Sequence, residues 1–184
     1  DDLKQWAEAG ILKRIYNKNG SYTSSFMASR LWVADYAAKN EIGKVLDFNE
    51  LAESSGDKTG KGIKRLGVLR ADVDGLGAAF IAGFIHKENK NPEAYATLSR
   101  YAALSRSMAL FFRKIIKGIC KKELPEGIKP FYLFEDKDGE PRKIHVVYSG
   151  GDDLFLVGAW DDLMGFAVDL KRVFSVYTNG KLTF

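Results

Sequence analysis

Two adjacent carboxylates, Asp152 and Asp153, follow two glycines in the segment YSGGDDLF at positions 148–155. The apolar runs at 144–148 and 154–157 predict two short strands, and the glycines between them supply the backbone freedom of a tight turn. Together they predict a β-hairpin with two carboxylates at its tip. Adjacent carboxylates repel each other, and a divalent cation relieves this repulsion. Hard oxygen ligands of this kind favour Mg²⁺ or Mn²⁺ over Zn²⁺.

A second acidic segment, LGVLRADVDGLG, occupies positions 66–77. Its apolar run at 66–71 predicts a buried strand that ends at Asp72, and Gly75 and Gly77 then lead into a predicted helix. Backbone N–H groups and the dipole at the start of a helix attract anions, so this junction suits a metal-bound phosphate. If the hairpin pairs beside this strand, all three carboxylates converge. Two metal ions need that arrangement to align a hydroxyl, a phosphorus and a pyrophosphate leaving group.

Each motif alone is compatible with ordinary turn chemistry, because Asp and Gly are favoured turn residues. Two such motifs, each at the end of an apolar strand and each beside glycines, indicate a catalytic site instead. The hairpin tip, 148–155, offers no His or Lys as a general base. The sequence therefore favours activation of the attacking hydroxyl by metal.

Both motifs resemble the palm domain shared by nucleic-acid polymerases, GGDEF diguanylate cyclases and class III nucleotide cyclases. With LSRYAALSRSMALFF between the two motifs and VVYSGGDDLFLVGAW around the hairpin, the sequence is similar to the large signature subunit of type III CRISPR–Cas effectors, in its III-A (Csm-type) form. The resemblance covers about residues 63–184, and KRIYNKNGSYT and SRLWVADYA resemble the segment before the second palm more weakly. It implies an α+β, ferredoxin-like palm of βαββαβ order.

In that family the palm makes cyclic oligoadenylates from ATP when the effector binds target RNA. The resemblance therefore implies ATP as substrate, Mg²⁺ or Mn²⁺ in a two-metal site, and other effector subunits, crRNA and target RNA as partners. By position, it implies that the catalytic, metal-binding residues are Asp72, Asp152 and Asp153. The residues implied to hold the nucleotide are Val73, Asp74, Gly75, Leu76, Gly77, Ser149, Gly150 and Gly151. For Asp74, a cap on the following helix is an alternative that we favour over a metal ligand, and Ser149 is expected to contact the base or ribose.

Two other functions stay open. A GGDEF-type cyclase using GTP is disfavoured because Asp-Asp-Leu replaces the usual ending of that hairpin. A palm that only binds crRNA and neighbouring subunits is disfavoured by the intact acidic trio. The HD nuclease motif of the family is not present, since neither His86 nor His145 is followed by Asp, so DNase activity is not assigned to this chain.

Composition is that of an ordinary globular protein, with 184 residues, 46% hydrophobic and 28% charged. The single cysteine, Cys120, excludes an intramolecular disulfide and provides no zinc cluster. No signal peptide or long apolar stretch is present, so we expect a cytosolic protein without a membrane partner. The net charge of +4 is compatible with RNA or nucleotide binding. Basic residues in 106–122 share one helix face, which we interpret as a solvated face in preference to an RNA track.

The elements that must position the site divide into an N-terminal linker segment, 1–62, and the palm, 63–184. In the first we predict helices over 3–9 and 24–38, a strand over 12–16 between them, a helical turn over 48–54 and a loop over 54–62. In the second we predict strands over 65–72 and 131–134, helices over 75–88 and 92–122, the hairpin, a helix capped by Asp161 and Asp162 that runs to Tyr177, and a truncated last strand from Lys181. Because this last strand is incomplete and Asp1 opens the chain, we expect a piece of a larger protein, with little or no synthase activity by itself.

Overall fold

The computed structural model describes residues 5, 6, 9, 15–18, 28–31 and 34–184. The chain divides into two units, 1–33 and 34–184. In the first, strand β1 (Ile15–Lys18) pairs in parallel with strand β2 (Ala28–Leu31). The predicted helix over 24–38 is therefore wrong where it is described, because 28–31 is a strand and 34–38 is not helical. Most of the predicted helix over 3–9 lies outside the described residues.

The second unit is a three-stranded antiparallel sheet with helices. Its helices and strands are α1 (Phe48–Glu53), β3 (Leu66–Asp72), α2 (Leu76–Ala82), α3 (Leu98–Leu110), α4 (Ile116–Cys120), β4 (Ile144–Gly150), β5 (Asp153–Ala159) and α5 (Trp160–Tyr177). A π-helical turn, Phe111–Ile115, joins α3 to α4, and a 3₁₀ turn, Glu135–Lys137, precedes β4. The predicted boundary near residue 62 lies inside this unit, because Ala34 and Leu51 are buried in it.

The strand order is β3-β5-β4, and both pairings are antiparallel. Beyond β3 the chain continues the sheet on both sides: the Val73 N–H donates to the Asp152 carbonyl, and the Asp74 N–H donates to the Thr183 carbonyl. The bridge between Asp74 and Thr183 places the end of the chain where the fourth strand of a βαββαβ palm belongs. The α+β palm fold is confirmed.

The hydrophobic core lies on one face of the sheet. Along β3, residues alternate between exposed and partly buried positions, as a strand with one solvated face must. Leu154 and Leu156 of β5 are completely buried against the helices. The other face is covered at one end by α1, which packs against β3 and β5, but Val68 and Val147 remain exposed. The second face of the sheet is therefore only partly covered.

Three predicted elements differ from the structure. The helix predicted over 75–88 ends at Ala82, where glycine, a poor helix former, follows. The helix predicted over 92–122 begins only at Leu98, because the Pro92 carbonyl accepts the His86 N–H and closes a turn. The strand predicted over 131–134 is absent: the Phe131 N–H donates to the Asp169 carboxylate instead of a neighbouring strand.

The first turn of α5 also departs from the prediction that Asp161 and Asp162 cap the helix. The N-cap is Ala159, and no side chain caps it. Asp162 accepts the Lys143 N–H at 2.9 Å, and Asp161 forms an ion pair with Lys137. Both carboxylates are buried. They attach the segment before β4 to the helix and do not cap the N-terminus of the helix.

Cys120 is completely buried in the core, as its apolar neighbours suggest. Burial raises the pKa of its thiol, and only the thiolate reacts with alkylating agents. We expect Cys120 to resist iodoacetamide in the folded chain and to react fully in concentrated urea, as measured by the mass of the protein. Rapid alkylation without denaturant would contradict this packing.

No helix in the part of the chain that the structure describes is long and apolar enough to cross a membrane.

Candidate active site

The strand register brings the predicted carboxylates together at one end of the sheet. Asp72, the last residue of β3, lies directly opposite Asp153, the first residue of β5. The next residue along, Val73, donates its N–H to the carbonyl of Asp152 at 3.2 Å. The hairpin therefore pairs beside β3, and the predicted convergence of the three aspartates is confirmed at the level of the backbone.

Local sequence explains why the hairpin turns at this point. Gly150 pairs with Asp153, so the turn consists of Gly151 and Asp152 alone. Gly151 has a φ of +68°, a conformation that two-residue hairpin turns require and that glycine adopts at low cost. A β-bulge at Val147 in β4 lies just upstream, and bulges commonly occur next to active sites, where they redirect side chains.

Arg70 is the first residue of the site that the sequence reasoning missed. It lies two residues before Asp72, on the same exposed face of β3. Its Nη2 atom is 3.8 Å from Oδ1 of Asp153. Both side chains are well exposed, so this ion pair contributes little to stability, but it places a positive charge beside the Asp153 carboxylate. The alternation of a strand was the available signal, because residues i and i+2 share a face.

The carboxylates suit a hard divalent cation. Directly opposite residues on antiparallel strands have Cβ atoms about 5 Å apart, so Asp72 and Asp153 can both reach an ion between them. Within 34–184 and the shorter described stretches, no three His, Cys, Asp or Glu side chains form a ready metal cluster. Mg²⁺ does not require one, because it commonly uses one or two carboxylates together with waters and substrate phosphates.

The glycine junction after β3 retains only part of the predicted nucleotide cradle. The N–H groups of Val73 and Asp74 are used in the sheet and are not free for a phosphate. Gly75 is the N-cap of α2 with a φ of +69°. A side chain at Gly75 or Gly77 would meet no atom within 4 Å, so these two glycines border open space, whereas Leu76 between them is buried in the core. The first turn of α2 has N–H groups without intrahelical acceptors.

Two predicted site residues make structural hydrogen bonds instead. The carboxylate of Asp74 accepts the Thr183 hydroxyl at 3.0 Å and does not cap α2, so the favoured capping role is wrong. The hydroxyl of Ser149 donates to the carbonyl of Phe112 at 2.6 Å, which ties β4 to the π-helical turn. Neither contact was visible in the sequence, because each joins residues far apart in the chain.

The basic residues of 106–122 include several that are already paired. Lys117 forms an ion pair with Asp35 at 2.9 Å. Lys122 donates to the carbonyl of Lys137 at 2.8 Å and lies over the ring of Tyr132. These contacts agree with a solvated and partly paired helix face.

The chain is similar to known proteins over most of its length. A family model described as Cas10/Cmr2, second palm domain, matches residues 65–184. A protein of Mycobacterium tuberculosis named CRISPR system single-strand-specific deoxyribonuclease Cas10/Csm1 (subtype III-A) is 40% identical over 171 residues, covering 93% of this chain and 19% of its own length. A protein of the same name from Streptococcus thermophilus is 38% identical over 170 residues, which cover 92% of this chain and 19% of that protein. The chain thus spans about a fifth of these relatives.

Several solved structures with similar folds contain Csm1. The Csm1–Csm4 cassette in complex with cA4 has a TM-score of 0.72 at 34% identity, covering 93% of this chain and 22% of that one. The cassette in complex with one ATP has a TM-score of 0.71 at 36% identity, with the same coverage. A further structure of the Csm1–Csm4 cassette, in complex with pppApA, has a TM-score of 0.70 at 36% identity, and the match covers 92% of this chain and 22% of that one.

Proposed function

The chain belongs to the family of Cas10/Cmr2 second palm domains, and on this basis we propose that it carries the nucleotidyl-transfer site of a type III-A CRISPR effector subunit. The reaction is the synthesis of cyclic oligoadenylates from ATP. The observation that supports it best is the register that sets Asp72 opposite Asp153 with Asp152 in the adjoining turn.

In this proposal a ribose hydroxyl of one nucleotide attacks the α-phosphorus of an ATP molecule. An O–P bond forms, the bond from the α-phosphorus to pyrophosphate breaks, and the hydroxyl proton passes to solvent. Two Mg²⁺ or Mn²⁺ ions held by Asp72, Asp152 and Asp153 would supply Lewis-acid stabilisation of the developing charge. The open start of α2, from Gly75 to Gly77, would accept the triphosphate.

The ligands bound to similar proteins support this reaction. Csm1–Csm4 has been solved with ATP, with the linear dinucleotide pppApA and with cA4, which correspond to the substrate, an intermediate and a product of such a reaction. We also propose a Csm4-like subunit, crRNA and target RNA as partners. The deoxyribonuclease in the relatives' names is not transferred, because the chain spans about a fifth of them.

The test is incubation of the full-length subunit, in its reconstituted effector with target RNA, with labelled ATP and Mg²⁺ or Mn²⁺. Cyclic oligoadenylate is expected only when ATP, target RNA and the divalent ion are all present, and EDTA should abolish it. Chromatography of the labelled products is the measurement, and GTP in place of ATP tests the GGDEF alternative.

If the effector binds target RNA normally but yields no oligoadenylate with either metal, the proposal fails. The palm would then be a scaffold for crRNA and neighbouring subunits.

A further inference from the structure

A second row of side chains crosses the open face of the sheet immediately behind the carboxylates. Arg70 of β3 lies opposite Phe155 of β5, and Phe155 lies opposite Tyr148 of β4. Opposite residues on paired strands project from the same face. This row, which we call the second row, lies two residues from the Asp72–Asp153 pair, a distance of about 7 Å along the strands.

Tyr148 is the unusual member of the second row. About half of this residue is exposed, at 53%, and it lies on β4, the strand at the edge of the sheet. A Cβ atom added at Gly150 would lie 3.7 Å from the Tyr148 hydroxyl, so the ring leans along β4 towards the hairpin tip. Among residues 34–184, the structure shows no hydrogen-bond partner for this hydroxyl. An aromatic ring so placed is available to a ligand at the carboxylates.

The approach to the carboxylates is limited by the fold. One face of the sheet is filled by the core under α3, α4 and α5, so no nucleotide enters from there. The glycine junction follows the end of β3 in the chain. A reaction between two nucleotides needs two binding places, and the remaining open direction is across the second row.

We propose that Tyr148 and Arg70 bind the acceptor nucleotide, whose ribose hydroxyl attacks the α-phosphorus of the donor. The Tyr148 ring stacks on the acceptor's base, and the Arg70 guanidinium contacts its phosphate. Aromatic stacking tolerates any base, and guanidinium groups pair well with phosphate oxygens. This inference rests on the proposed function.

The test separates donor from acceptor in the reconstituted effector with target RNA. A linear adenosine dinucleotide with a 5′-monophosphate is the acceptor, because without a triphosphate it cannot act as a donor. ATP lacking both ribose hydroxyls is the donor, so one addition ends the reaction. For Tyr148→Ala and for Arg70→Ala, we expect the KM for the dinucleotide to rise about tenfold, with little change in the KM for the donor. Tyr148→Phe should retain wild-type values, because it keeps the ring.

Val68→Ala is the matched control, since Val68 is exposed on the same face of β3, one row farther from the carboxylates. Direct binding of a fluorescent dinucleotide, followed by anisotropy, should weaken by the same factor for Tyr148→Ala and not for the control. Thermal melting of each variant reports its folding.

The outcomes distinguish the two proposals. If the wild type adds no nucleotide here and makes no oligoadenylate from ATP, the proposed function itself is wrong. If the wild type is active but Tyr148→Ala and Arg70→Ala keep the control's dinucleotide KM, the acceptor role is excluded. Equal rises in both KM values would also overturn it, because they indicate a general distortion of the site.

Discussion

Replacing Asp72 with asparagine is expected to abolish oligoadenylate synthesis by the reconstituted effector without weakening the palm. Asn removes the charge that holds the divalent ions but keeps the size of the side chain. Loss of several kcal/mol of transition-state stabilisation corresponds to a rate about a thousandfold lower, at 1.36 kcal/mol per factor of ten. The measurement is the initial rate of labelled ATP incorporation, with target RNA bound.

Stability should move in the opposite direction. Asp72 and Asp153 lie directly opposite each other, and like charges in that position destabilise a strand pair by roughly 0.2–1 kcal/mol. In the absence of divalent ions, Asp72→Asn should therefore unfold at the same or a slightly higher urea concentration than the wild type. If Asp72 were needed only for folding, its replacement would lower activity and stability together.

Asp47→Asn is a matched control, because it changes the charge by the same amount at the N-cap of α1, far from the hairpin in sequence. Asn is as good an N-cap as Asp, so neither synthesis nor stability should change. Asp152→Ala/Asp153→Ala is expected to match Asp72→Asn in its loss of product. Wild-type rates from either carboxylate variant would remove these residues from the chemistry.

The second large effect concerns the buried charges that hold the connecting segment before β4. Arg142 and Asp169 are both almost completely buried and form a direct ion pair, and Oδ1 of Asp162 lies 4.0 Å from Arg142. Arg142 also donates to the carbonyl of Phe131 at 3.2 Å. A side chain at Gly165 would lie 2.4 Å from a guanidinium nitrogen, so the absence of a side chain there makes room for the arginine.

Asp169→Ala is expected to destabilise the chain by about 3–5 kcal/mol, because it leaves Arg142 buried with a much poorer set of partners. With a typical urea dependence of about 1–3 kcal/mol per molar for small proteins, the midpoint of unfolding should fall by about 2 M. Far-ultraviolet circular dichroism during urea titration is the measurement. Unchanged midpoints would show that this pair does not stabilise the fold.

Replacing both partners should cost less than replacing one. Arg142→Met/Asp169→Leu substitutes apolar groups of similar size, and such changes to buried ion pairs are often neutral or stabilising. We therefore expect the double variant to unfold between Asp169→Ala and the wild type, or above the wild type. If the double variant is less stable than Asp169→Ala, the hydrogen bonds to Phe131 carry more of the energy than the ion pair.

The sequence by itself determined the parts of this protein that depend on local patterns. Apolar runs with acidic ends and glycines predicted β3, the hairpin and the three aspartates, and the resemblance of these motifs to palm domains implied the α+β fold that the structure has. Strand alternation and positive-φ turns act within a few residues, so they can be read directly from the chain. Arg70 was within reach of the same reasoning, because it lies two residues before Asp72.

The tertiary structure decided everything that depends on distant partners. The register between β3 and β5 joins residues 81 to 93 positions apart, and it alone sets Asp72 opposite Asp153. The strand predicted over 131–134 fails because Asp169, on α5, accepts its N–H, and the Asp74 N–H and carboxylate bond to Thr183. Which face of the sheet stays open, and hence the availability of Tyr148, follows from how the helices pack. Long-range packing overrides local preference, because burial of apolar surface supplies more free energy than propensity does.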